Sequence, residues 1–204
     1  MPIAKPTIWK TPLILALLVA IPVALSVERL MWFANGADPM AEAMDTPHFA
    51  NVPIPIIAHV ASSSMFCLIA IVRLPPELRL ASRRLHKTLG YIAAISGVLA
   101  ALSAMVMVFI YPTGPFATTA LNIVRFGFAA LMGLCILNEV RTARARRITS
   151  HRAWMIRAFA VAVAASTQAV FMGLRFATIG DPSPELATAL LKLGFGLNAV
   201  FAEW

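Results

Sequence analysis

Two histidines open two apolar runs in similar settings. They are His86 in Leu85-His86-Lys87-Thr88-Leu89-Gly90-Tyr91, and His151 in His151-Arg152-Ala153-Trp154-Met155-Ile156-Arg157. A neutral imidazole nitrogen is an iron ligand, and two of them on facing helices are what a six-coordinate haem b needs. On that reading His86 and His151 are axial ligands, or else partners of a quinone headgroup. Arg73, Arg157 or Lys87 holds the propionates, and Trp154 packs against the ring. The alternative is a pair of interfacial histidines that cap their helices or meet lipid phosphate. A second haem would need a second pair. Only His48 and His59 remain, and Pro53 and Pro55 lie between them, so one haem is the most the sequence supports. No zinc-ligand spacing, Ser-His-Asp arrangement, phosphate loop or metalloprotease motif is present.

A second band of polar residues lies deeper. Glu28, His59, Arg125, Gln168 and Lys192 each fall roughly 9–12 Å below the outer end of their own apolar run, at about 1.5 Å per helical residue. They come from five different runs. Ionisable groups at such depth are costly, which marks them as functional candidates. Asn122 and Arg29 lie nearby, and Arg175 is nearer the interface. Glu28 is the only acid in this band. The excess of base favours an anionic guest: a carboxylate, a haem propionate or a lipid phosphate. Internal pairing of Glu28 with Arg125 or Lys192 is the other reading.

These residues need elements to position them. The chain has 204 residues, 60% apolar and only 13% charged, with a mean hydropathy of +0.81. A soluble domain of this size cannot hide that much apolar surface. An ordinary soluble enzyme, a disordered tail and a disulfide scaffold are therefore excluded. Six apolar runs can be cut, about 12–34, 53–72, 88–111, 117–138, 152–176 and 185–204, each long enough to cross a bilayer as a helix. None alternates like a barrel strand, and Pro and Gly mark the breaks. The expected fold is all-α: one transmembrane domain over 1–204, an integral membrane bundle of six helices. Pro22 is expected to kink the first helix. Gly90, Ala94, Gly97 and Ala101, and then Ala158, Ala162, Ala165 and Ala169, permit close helix contact. The first run exceeds the apolar stretch of a signal peptide and reads as a retained span.

The net charge is +8. All bases but Arg29, Arg125, Arg175 and Lys192 fall at the N-terminus, in the connection 73–87, or between Arg141 and Arg157. The alternate connections carry acids instead: Asp38, Glu42 and Asp45, then Asp181 and Glu185. This positive-inside pattern predicts that both termini are cytoplasmic and that the bases sit among anionic headgroups. It leaves no role for nucleic acid. Cys67 and Cys135 read as small buried hydrophobes. Asn198 and Glu203-Trp204 end the last run on the inner side, where Glu203 is expected to pair with a base.

At these residues the chain resembles a known family. The segment His86-Lys87-Thr88-Leu89-Gly90-Tyr91 resembles its His-Arg-x-Leu-Gly-Arg motif, and His151 to Arg157 resembles its His-Arg-x-Trp-Met-Ile-Arg motif. Asn198 and Glu203-Trp204 resemble its closing Asn and Glu-Trp, and His59 sits where the family carries an early His. Ser62-Ser63-Ser64 departs from a stretch that is small and Gly-containing in the family. The family is that of the predicted bacterial membrane proteins called domain of unknown function 2306, and the resemblance covers roughly residues 53 to 204. It implies a multi-helix bundle in the bacterial cytoplasmic membrane and this choice of residues, without implying a reaction. Three functional expectations follow. The first is a redox protein binding one haem b or a quinone near the cytoplasmic side. The second is a binder or transporter of a small anion or lipid through His59, Arg125, Gln168, Lys192 and Glu28. The third is an accessory subunit of a larger membrane complex. Membrane lipids are the expected surroundings in all three.

Overall fold

The computed structural model describes residues 10–35, 48–73, 80–111 and 118–203. Among them, six helices are long and apolar enough to cross a membrane. They are α1 (Lys10–Asn35), α3 (Ile54–Arg73), α4 (Arg83–Ile110), α5 (Thr119–Arg144), α6 (Ile148–Ile179) and α7 (Pro184–Glu203). A single turn, α2 (His48–Asn51), precedes α3. No strand occurs among the described residues. Lys5, Asp38, Glu42, Asp45, Arg79 and Trp204 lie outside them.

Local chemistry sets the helix starts. Orphan amide donors in the first turn need an acceptor. Ser82 accepts from the Leu85 amide at 3.2 Å, Thr118 from the Leu121 amide at 3.3 Å, and Ser183 from the Leu186 amide at 3.3 Å. Pro184 then opens α7, where its missing N–H costs nothing. Gly180 ends α6 with φ +91°, a conformation disfavoured for other residues. Three residues join α5 to α6, and Arg146 turns the chain there with φ 58°.

The helices outrun the apolar segments that announce them. The third helix begins at Arg83 rather than Thr88. The fourth continues past Asn138 to Arg144, and the fifth spans Ile148 to Ile179. Hydropathy ends a span where charge begins, but backbone hydrogen bonding does not, because long basic side chains reach water from a continuing helix. Helix α1 likewise runs through Pro22 as one element.

Helices α3, α4, α5 and α6 form a closed ring: each packs on the next, and α6 closes onto α3. Helix α4 therefore lies diagonally opposite α6, and α3 opposite α5. Helix α1 sits against α3 and α6, and α7 against α6 and α5. The core joins Phe66, Cys67, Ala93, Ala94, Cys135 and Ile136; both cysteines are free thiols, as their apolar setting suggests. Gly97 lets α4 approach: a Cβ there would lie 2.6 Å from Ile136 Cδ1 and 2.7 Å from Phe66 Cδ2. Large apolar side chains such as Phe109, Ile123, Ile179 and Phe201 point outward and are mostly exposed. That inversion of the soluble pattern is what a lipid solvent demands.

Candidate functional site

Six crossings alternate in direction. Lys10, Arg73, Arg83, Arg144, Ile148 and Glu203 therefore share one end of the bundle, the basic end.

At the basic end the diagonal α3–α5 is bridged. Arg73, the last residue of α3, places Nη1 3.5 Å from Glu139 Oε1 on α5, and their side chains are only 4% and 6% exposed. The Arg73 guanidinium lies against Gly90 of α4, where a Cβ would come within 3.1 Å of Nη2. On the far side His151 of α6 places Nδ1 4.0 Å from the same Glu139 Oε1 and 3.2 Å from the Glu139 backbone oxygen. The path from Gly90 on α4 to His151 on α6 is thus filled by guanidinium and then carboxylate. Burying these charges is tolerable because they are paired. A carbonyl oxygen only accepts, so His151 Nδ1–H donates to it. In the neutral ring Nε2 then carries the free lone pair.

The sequence places His86 and His151 at one depth, and the structure puts them on α4 and α6, which sit across the ring from each other. His86 is half-buried, one turn before Gly90. Arg157 donates Nε and Nη2 to the two carboxylate oxygens of Glu203 at 2.6 and 2.7 Å, which is the pairing expected of Glu203. The Arg157 guanidinium also lies 4.9 Å from the Trp154 ring. His151, Trp154 and Arg157 follow at three-residue intervals and so form one stripe along α6. Glu139 is the residue that sequence reasoning missed. It is the only acid between Glu77 and Asp181, and that isolation was the one signal pointing to it.

In the other half of the bundle the polar residues meet different neighbours. His59 Nδ1 donates to the Ala100 carbonyl at 3.0 Å and approaches Ser103 Oγ at 3.3 Å, tying α3 to α4. Gln168 Nε2 donates to the Leu191 carbonyl at 2.7 Å, tying α6 to α7. Asn198 does the same one level down, donating to Thr167 Oγ1 at 2.8 Å. Glu28 is exposed on α1 and lines a shallow depression formed by α1 residues alone, among them Ala24, Met31 and Trp32. Helix α1 packs on α3 and α6, so Glu28 is not brought to Arg125 or Lys192, and none of the ion pairs seen among the described residues involves it. Arg125 Nη1 donates to Asn122 Oδ1 at 3.3 Å.

Near the far end, Tyr111 donates its hydroxyl to the Val52 carbonyl at 2.8 Å and meets Phe49 edge to face at 4.5 Å. No group of three or more His, Cys, Asp or Glu among the described residues is arranged to hold a metal ion.

Six apolar helices around a buried charge cluster define a multi-pass integral membrane protein. The chain belongs to the predicted membrane protein family DUF2306, whose match runs over residues 56–204, from α3 to the end of the chain. No curated protein and no solved structure matches it.

Proposed function

We propose that the protein is a membrane redox protein that binds a quinone headgroup against the His151–Trp154 stripe of α6, on the cytoplasmic side that the basic end represents. One observation carries this reading: His151 is anchored through Nδ1 on Glu139, which leaves Nε2 as the ring nitrogen for a ligand. Quinone reduction consumes two protons along with two electrons. The imidazole is a hydrogen-bond partner for a quinol hydroxyl and a relay for protons drawn from water at the basic end. Trp154 supplies an aromatic surface one turn along. A separate electron carrier, such as a flavoprotein, supplies or accepts the electrons.

The experiment is extraction of the purified protein with organic solvent, followed by chromatography of the lipid fraction. Quinone should co-purify with the wild type. It should fall by about tenfold, equivalent to about 1.4 kcal/mol, in His151→Ala and in Trp154→Ala. His59→Ala serves as the control. An absence of quinone, together with no thermal stabilisation by menadione or a short-chain ubiquinone, defeats the reading.

The haem b reading is favoured by the same feature, since a metal-ligating histidine typically anchors its other nitrogen on a carbonyl or carboxylate. It requires His86 and His151 to reach one iron across a diagonal that the Arg73–Glu139 pair now fills. Soret and α bands in the dithionite-reduced protein, lost in His86→Ala and in His151→Ala, would establish it. A colourless protein removes it.

A further inference from the structure

Four bases lie away from the basic end, and two of them have roles within the protein. The Arg29 guanidinium lies 5.0 Å from the Phe49 ring centroid. Arg175 donates to the carbonyls of Gly180 at 2.6 Å and Asp181 at 3.3 Å, closing the end of α6. Arg125 and Lys192 are different. Among the described residues neither has a carboxylate partner, and the side chain to which Arg125 donates, Asn122, is neutral.

The two cations lie at one level by register. Phe128 of α5 and Phe195 of α7 stack with centroids 4.6 Å apart and ring planes 17° apart, which pins the two helices together. Arg125 precedes Phe128 by three residues, and Lys192 precedes Phe195 by three. Both cations therefore lie about 4.5 Å further from the basic end than the stacked rings, on the two helices that those rings join. One turn beyond Lys192, Thr188 Oγ1 lies 3.5 Å from Thr118 Oγ1 of α5. Asn122 draws the Arg125 guanidinium toward the same level. Both basic residues are half-buried.

Two cations at one level of two packed helices, at membrane depth, repel each other across the interior and lack the hydration that would screen them. An anion between them removes both penalties. Arginine offers a planar fork to an oxyanion and lysine a compact point charge; the threonine hydroxyls add neutral donors at the rim. We propose that the α5–α7 seam is a binding site for a phosphate group, held by Arg125 and Lys192 below the Thr118–Thr188 rim. The same chemistry serves a lipid headgroup and free phosphate. This site lies in the opposite half of the bundle from the quinone reading and does not depend on it.

The test compares wild type, Arg125→Gln/Lys192→Gln and Arg125→Lys in a neutral detergent, by thermal unfolding and native mass spectrometry. The probes are inorganic phosphate, short-chain phosphatidylglycerol and short-chain phosphatidylcholine. Saturable stabilisation by phosphatidylglycerol alone, weakened about tenfold in the double variant and retained in Arg125→Lys, supports a lipid headgroup. An equal response to inorganic phosphate, lost in the double variant, supports free phosphate. Should the double variant fail to fold, Lys192→Gln takes its place in both arms. The proposal is overturned if wild type responds to neither anionic probe. It is equally overturned if wild type and the charge-removed variant respond alike, since the binding then belongs to the arginines at the basic end.

Discussion

Arg73 and Glu139 meet across the diagonal of the helix ring, 3.5 Å apart and almost entirely out of contact with solvent. They join two helices that share little direct packing. Breaking such a pair leaves an uncompensated charge in a poor solvent. Glu139→Ala should destabilise the protein by about 3–5 kcal/mol, whereas Arg73→Met/Glu139→Leu should restore much of the loss. Unfolding in graded sodium dodecyl sulfate, followed by circular dichroism, measures both. Equal stability of Glu139→Ala and wild type would show that the pair holds nothing together.

Gly97 sits where α4 meets Phe66 and Ile136. Gly97→Ala should cost about 1–3 kcal/mol, because neither facing side chain has room to retreat. A Cβ at Gly127 would meet nothing within 4 Å, so Gly127→Ala should be neutral or slightly stabilising through helix propensity. The same unfolding assay separates the two.

The α6–α7 seam is coupled at one point. A Cβ at Gly194 would lie 2.5 Å from Gln168 Cγ, and Gln168 is also the donor to Leu191. Gly194→Ala alone should be destabilising. In the Gln168→Ala background much of that cost should vanish, giving a non-additivity of about 0.5–3 kcal/mol in a double-mutant cycle. Additive losses would mean that α7 shifts as a body instead.

Tyr111→Phe removes one hydroxyl donor and leaves the Val52 carbonyl unpaired by it, while keeping the edge-to-face contact with Phe49. The expected loss is about 1 kcal/mol. Tyr111→Leu removes the ring contact as well and should cost more. Hydrogen exchange at the start of α3 is the local readout, and no change in either variant would place the anchoring of that end elsewhere.

The helical, membrane-crossing character of the chain was legible in composition and run length, because lipid imposes a simple rule on every crossing. The cytoplasmic-side residues were legible in part. His151, Trp154 and Arg157 share a stripe because three-residue spacing on a helix allows it. Glu139 was hidden because an apolar segment was cut at Asn138, one residue short, where the helix itself continues. Gly90 read as a packing glycine, and its neighbour proves to be the guanidinium of Arg73. The shared depth of Glu28, His59, Arg125, Gln168 and Lys192 did not say which of them meet. Distance along a helix fixes depth but not rotation about the axis, nor which helices become neighbours. Glu28 faces outward on α1, and His59 and Gln168 spend their donors on backbone carbonyls.

The position of α1 has a further consequence. It packs outside the ring, on α3 and α6, and the family match begins only at residue 56. The matched set, α3 to α7, makes an odd number of crossings and by itself begins and ends on opposite faces. Adding α1 changes the parity, so Lys10 and Glu203 emerge on the same face. A helix whose described side chains add Val19 to the buried core, with Leu15, Leu18 and Val23 packed against it, thereby sets the parity of the whole bundle.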